Sequence, residues 1–170
     1  KTAEIVSTLA PSVDVWGLNV FRGSSFGSLF AQWASISTKP MFIGEFGTDA
    51  FDQRAGREDQ VLQAAFDLGL WDEIAARLSA DDPARVALGG FVFELGDEWW
   101  KAGNPAAHDT GGVALAAHPD GFANEEWFGL VDIDRQKRQA YGAFQSRFAD
   151  PLTSFVAGFY RTVLAREPEP

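Results

Sequence analysis

Apolar positions along the chain switch between two periods. Ile5, Val6 and Leu9 lie on one face of a short helix that ends before Pro11. Val13 to Phe21 (Val-Asp-Val-Trp-Gly-Leu-Asn-Val-Phe) is rich in β-branched and aromatic residues and is closed by Arg22-Gly23, which predicts a buried strand. Ser24 or Ser25 then suits a helix cap, with Phe26, Leu29, Phe30 and Trp33 at helical spacing. After Lys39-Pro40 a second strand runs from Met41 to Phe46, and its continuous Met-Phe-Ile start suits a parallel strand covered on both faces. A polar loop spans Gly47 to Gly56. Glu58 and Asp59 fall in the first turn of the next helix, where the dipole favours acids. Val61, Ala65, Leu68, Trp71, Ile74, Ala75 and Leu78 mark that helix's expected buried stripe, with Gly69 as a possible kink and Asp82-Pro83 as its end. A third strand follows from Ala87 to Glu94.

Helix and strand thus alternate strictly, which predicts an α/β fold with parallel strands joined by right-handed crossovers. The pattern then breaks. Leu95 to Arg138 is rich in Gly, Pro, Asn and Asp but also holds Trp99, Trp100, Trp127 and Phe128. A loop this long in a compact domain is usually functional or disordered, and its Trp residues argue against disorder. Tyr141 to Phe148 reads as a closing helix. Leu152 to Leu164 is again amphipathic, and Glu167-Pro-Glu-Pro is a tail.

Composition narrows the function classes. Six Trp and fifteen Phe in 170 residues suit either a large core or a surface that stacks on flat ligands such as sugar rings. A net charge of −10 repels phosphate backbones and argues against a nucleic-acid partner. The absence of cysteine removes disulfides and Cys-based zinc sites but leaves the compartment open, secreted or periplasmic included. No run of roughly 18 apolar residues is present, so no membrane span is expected. Lys1-Thr2-Ala3-Glu4 has no signal-peptide character and no initiator Met, which reads as an internal start. His108 and His118 lack a partner set for a metal, Asp132-Ile-Asp134 does not fit a calcium loop, and neither a metal nor another cofactor is expected.

Three polar residues stand at the C-terminal ends of the three predicted strands: Asn19, Glu45 and Glu94. In a parallel α/β barrel that end carries the active site. Glu45, between Gly44 and Gly47, fits one member of the carboxyl pair that glycosidic bond cleavage requires. The plainer alternative is a Glu that caps a helix or pairs with Arg22. Asp97, Glu98, Asp109 and Asp120 suit a solvated acidic loop better than a set of sugar ligands.

Val-Trp-Gly-Leu-Asn-Val-Phe-Arg-Gly, Lys-Pro-Met-Phe-Ile-Gly-Glu-Phe-Gly and Gly-Gly-Phe-Val-Phe-Glu, in that order, resemble strands six, seven and eight of retaining (β/α)8 glycoside hydrolases of the β-glucanase, β-glucanosyltransferase and β-galactosidase-like groups. Asn124-Glu-Glu-Trp-Phe-Gly-Leu-Val-Asp and Gln139-Ala-Tyr are similar to the loop after the last strand of such enzymes, and the resemblance runs from about Val13 to Phe148. It implies a partial TIM barrel of three β/α units in residues 1–150, followed by a C-terminal helix and tail in 151–170. It implies Glu45 as the nucleophile, an oligosaccharide or polysaccharide substrate, and Asn19, Phe21, Glu94, Trp99, Trp100 and Trp127 as substrate-binding positions. In that clan the acid/base Glu follows an Asn at the end of strand four, which has no match here. Asn124-Glu125 has the letters without a preceding strand and is set aside. Phe21 stands near where many relatives carry a Tyr whose hydroxyl supports the nucleophile.

A whole barrel needs about 250 residues. The expectation is therefore a piece completed by a missing N-terminal barrel half, inactive alone, with the inner faces of Ile43, Phe91 and Phe93 unpartnered. Two other readings stay open. One is a non-catalytic carbohydrate-binding or pseudoenzyme domain using the Trp-rich loop. The other is a three-strand layer that dimerises through its sheet edge.

Overall fold

The computed structural model describes residues 10–149. The helix expected at Ile5–Leu9 and the amphipathic stretch Leu152–Leu164 lie outside the described residues. In chain order the elements are β1 (Trp16–Asn19), α1 (Leu29–Ile36), β2 (Met41–Phe46), β3 (Phe51–Asp52), β4 (Arg57–Glu58), α2 (Gln60–Ala75), β5 (Ala87–Val92), β6 (Val113–Ala114), β7 (Phe122–Ala123), a 3-10 turn (Glu125–Trp127) and α3 over 139–149.

β1, β2 and β5 form one parallel sheet with β2 in the centre. Parallel neighbours need crossovers, and α1 and α2 supply them. The strands are shorter than the pattern predicted, 16–19 rather than 13–21 and 87–92 rather than 87–94. Beyond those limits Val20 still donates its N–H to the Glu45 carbonyl (2.9 Å) and Phe93 to that of Phe46 (2.7 Å), but the chain bends away. α1 also starts later than expected, after Ser28 and not at Ser24 or Ser25. Phe26 is buried ahead of the helix instead, with its N–H bound to Glu73 Oε2 (2.9 Å).

The sheet has one covered face. Met41, Ile43 and Phe46 of β2 are fully buried and pack with Leu29, Phe30 and Trp33 of α1 and Leu70 and Ile74 of α2. Each such side chain contributes about 1.5–3 kcal/mol on burial. Ile43 therefore belongs to the helix-covered face, which corrects its assignment to an unpartnered inner face. The other face is open. Leu88 and Phe91 point out of β5, and Phe91 is 65% exposed with only the edge of Phe42 against it (5.8 Å).

α2 is a single helix of 16 residues, unbroken at Gly69. Asp59 is its N-cap, accepting from the Leu62 N–H (2.9 Å), while Glu58 sits in β4. The buried face differs from the apolar stripe: it is Gln63, Asp67, Leu70 and Ile74, and Val61 and Ala65 are exposed. The physical reason is what each half of the helix covers. The C-terminal half lies on the sheet and is apolar. The N-terminal half lies over loop backbone whose amides and carbonyls need polar partners. Gln63 Nε2 reaches the carbonyls of Thr48, Phe128 and Gly129, and Asp67 Oδ1 accepts the Thr48 N–H.

The long segment after β5 is built around a buried ion pair. The Arg138 guanidinium grips both oxygens of Asp97 (2.6 and 2.8 Å), with Glu58 at 3.3 Å on its outer side. Asp97 also accepts the Gly129 N–H (2.9 Å), and Arg138 donates to the Gly129 carbonyl (2.8 Å). Asp97 is thus a buried strut rather than part of a solvated acidic loop; burial pushes its carboxyl up and Arg138 opposes that.

Removing one partner of such a pair strands the other charge. Arg138→Met is expected to cost about 3–5 kcal/mol in denaturant unfolding. A loss below about 1 kcal/mol for the single variant, the range of an exposed pair, contradicts this role.

Candidate active site

Glu45 owes its direction to a bulge. Leu18 of β1 pairs with Ile43, but the next residue, Asn19, pairs with Glu45, so Gly44 is an extra residue in β2. Without it Glu45 would share the helix-covered face with Met41 and Ile43. The bulge reverses the phase: Phe46 takes the buried position and Glu45 goes to the open side with Phe42. The Asn19 carboxamide lies over Gly44, where a Cβ would stand only 2.6 Å from Asn19 Oδ1. Asn19 and Glu45 are therefore neighbours at the C-terminal end of adjacent strands, as the sequence order suggested.

An aromatic trio stands at the same end. Phe21 packs edge-on to Phe93 (6.1 Å) and to Phe128 (5.9 Å), and Phe93 to Phe128 (5.4 Å). Glu94 follows Phe93 and is fixed by its backbone, its N–H to the Phe128 carbonyl (3.3 Å) and its carbonyl to the Leu130 N–H (2.8 Å). Its carboxyl is pushed up to about 7, first by burial and then by Glu98, with Lys101 opposing, and Oε1 is buried without a partner. Lys101 lies 5.3 Å from the Phe93 ring centre and pairs with Glu98 (2.5 Å) and Glu125 (3.1 Å).

The three Trp positions separate. Trp99 and Trp100 pack edge to face (4.7 Å) and are 37% and 55% exposed. Trp127 is held inside its loop, stacked between Phe51 (4.7 Å) and His108 (3.9 Å), with its indole N–H on the Asp109 carbonyl (2.7 Å). Asn124 caps the 3-10 turn; Glu125 is exposed and Glu126 is buried, accepting the N–H groups of Ala102 (2.8 Å) and Asp109 (2.6 Å).

Behind Glu45 lies a buried polar group that apolar periodicity did not find. Gly47 has a φ of 148°, and a Cβ there would stand 2.7 Å from the Phe93 carbonyl, so the chain after Glu45 presses directly on the end of β5. Thr48 and Asp49 follow, both buried. His118 Nδ1 meets Thr48 Oγ1 (3.0 Å) and Asp49 Oδ1 (3.2 Å), and Asp49 Oδ2 accepts the Asn124 N–H (3.1 Å). The sequence signal was available: Gln63 and Asp67 stand four residues apart on a helix, hence on one face. Among the described residues no cluster of three or more His, Asp or Glu is arranged to hold a metal ion, and no helix is long and apolar enough to cross a membrane.

The fold has counterparts among solved glycosidases of the TIM-barrel type. A β-glucuronidase from Faecalibacterium prausnitzii superposes with a TM-score of 0.51 at 20% identity, over 84% of this chain and 23% of its own. A Bifidobacterium dentium β-glucuronidase complexed with coumarin-3-O-glucuronide aligns over 81% of this chain and 21% of its own, at 17% identity and a TM-score of 0.48. At 20% identity the likeness to the first is one of fold alone, and the chain spans less than a quarter of either enzyme's length. No family model matches the sequence, and no curated protein does.

Glu94 gives a pH signature with a definite sign. Its folded value, about 7, lies above the ordinary 4.5, so its burial is tolerated below about 4.5 and destabilises as pH rises through 7. Glu94→Gln is expected to raise the melting temperature at pH values above about 7 and to leave it unchanged near 4.5. A pH-independent difference between the two proteins contradicts that environment.

Proposed function

We propose that this chain is the C-terminal three β/α units of a (β/α)8 glycoside hydrolase or transglycosylase that acts on β-linked glycans with retention, and that Glu45 is its nucleophile. One observation carries the reading. The bulge at Gly44 turns Glu45 away from the covered core, onto the open side at the C-terminal end of the central strand, where parallel α/β barrels build their sites. The open sheet face and the fold likeness to part of a β-glucuronidase support the same reading.

In this mechanism Glu45 attacks the anomeric carbon while a second carboxyl, about 5–5.5 Å away, protonates the leaving oxygen. Water or a sugar hydroxyl then releases the glycosyl-enzyme. The acid/base Glu belongs to the N-terminal barrel half, outside this chain, and the two halves complete one site. Phe21 gives no hydroxyl to Glu45; it serves as an apolar wall with Phe93 and Phe128. Asn19, beside Glu45, would hydrogen-bond a sugar hydroxyl, and Glu94, its carboxyl pushed up to about 7, would donate to one in its protonated form.

In the whole protein, Glu45→Gly is expected to lower turnover of an aryl β-glycoside by at least about 10³-fold. Added azide should restore it and give a product of inverted anomeric configuration. Full activity of the variant, or no rescue in a folded one, rejects Glu45 as nucleophile. The exposed Trp99–Trp100 pair favours a second reading, a non-catalytic carbohydrate-binding domain. Under that reading glycan binding survives Glu45→Gln without any turnover in the whole protein, and it is lost with Trp99→Ala or Trp100→Ala.

A further inference from the structure

Two buried oxygens on one face of α2 have no hydrogen-bond partner: Gln63 Oε1 and Asp67 Oδ2. Both residues are fully buried, and both grip the main chain of Thr48, the third residue after Glu45. The orientation of the Gln63 amide is not free. Its nitrogen faces three carbonyls, those of Thr48 (3.4 Å), Phe128 (3.3 Å) and Gly129 (3.3 Å), so a flipped amide would set oxygen against oxygen three times. Gln63 Oε1 therefore needs a donor. An ionised Asp67 cannot be one, since a carboxylate only accepts. A protonated Asp67 can, and the spacing of four residues along a helix places the two side chains side by side.

We propose that Asp67 is a neutral carboxylic acid whose O–H donates to Gln63 Oε1, forming an acid–amide clamp that fixes the Thr48 main chain and makes both residues positioning residues for Glu45. The part that names Glu45 rests on the function proposed above; the protonated clamp does not. Asp67 Oδ1 accepts the Thr48 N–H (3.0 Å), Gln63 Nε2 donates to the Thr48 carbonyl, and the remaining O–H of Asp67 joins the two side chains. Every polar atom of the pair is then satisfied.

The charged groups around the clamp favour the proton. Asp49, on the loop after β2, repels a second carboxylate; its own partner is His118 (3.2 Å). On the far side, Arg138 shares the Gly129 carbonyl with Gln63, but its charge is already matched by Asp97 and Glu58. No cation reaches Asp67 from either side among the described residues. Burial holds the Asp67 carboxyl well above the usual carboxylate range, with the Thr48 N–H pulling the other way and Asp49 adding to the rise.

The test is a carboxyl carbon NMR titration of the full chain, from about pH 4 to pH 8, with Asp67 assigned through Asp67→Asn. The expected result is an Asp67 signal that stays at its protonated position across that range. A signal that titrates near the ordinary value of about 4 overturns the clamp, and would point to a bridging water or a bound cation. Melting of two variants reads the same point without an assignment. An Asn amide can donate to Gln63 and accept from Thr48, so Asp67→Asn should melt within a few degrees of the parent. Asp67→Ala should melt at least about 5 °C lower. Equal losses for Asn and Ala would mean that the charge is what matters, and would sink the proposal. None of these readouts depends on turnover, so failure of the clamp and failure of Glu45 as nucleophile are told apart.

Discussion

Main-chain groups at the C-terminal ends of parallel strands must find partners where the sheet stops, and this need organises the chain. The partners are buried polar side chains: Gln63 and Asp67 on α2, Asp97 after β5, and Arg138 at the start of α3. The Gly129 peptide shows the arrangement at its densest, with its N–H on Asp97 and its carbonyl on both Arg138 and Gln63. An unpaired buried amide or carbonyl costs about 1–3 kcal/mol, so these few side chains decide whether the loops hold one conformation.

This arrangement explains why one end of the sheet is rigid behind and open in front. Behind Glu45, the chain from Gly47 to Ala50 is buried, and Thr48, Asp49 and Ala50 are held by hydrogen bonds to α2 and the later loops. In front, Asn19, Glu45 and Phe91 face outward from a sheet whose second face nothing among the described residues covers. A carboxylate held from behind and approached from the front is what a nucleophile needs, because positioning matters as much as reactivity. With its carboxyl pushed up to about 7, Glu94 is present in both protonated and ionised forms near neutral pH, a donor in the one and an acceptor in the other.

Much of this was legible in the order of residues. Continuous apolar runs marked β2 and β5 within a few positions, and the strict alternation marked the sheet as parallel. Glu45 stands out as a carboxylate at the C-terminal end of an expected parallel strand, where barrels build their sites. What the pattern could not carry was side-chain direction. The bulge at Gly44 is a one-residue change of register, visible only when β1 and β2 are paired. The buried stripe of α2 departs from the apolar pattern for a related reason. Apolar spacing pointed to Val61 and Ala65, but the first half of the helix faces loop backbone, so its inward residues are Gln63 and Asp67. Trp127 and Asp97 followed the same rule: an aromatic and an acid in a loop that looked solvated turned out to hold that loop together.

The central claim is that Glu45 forms the bond to sugar. The most direct measurement uses a 2-deoxy-2-fluoro β-glycoside with a good leaving group, incubated with the whole protein and followed by peptide mass mapping. The account predicts one added fluoroglycosyl group, on the peptide that contains Ile43-Gly44-Glu45-Phe46 and on Glu45 itself. Labelling of another carboxylate, with Glu45 left free, would contradict it.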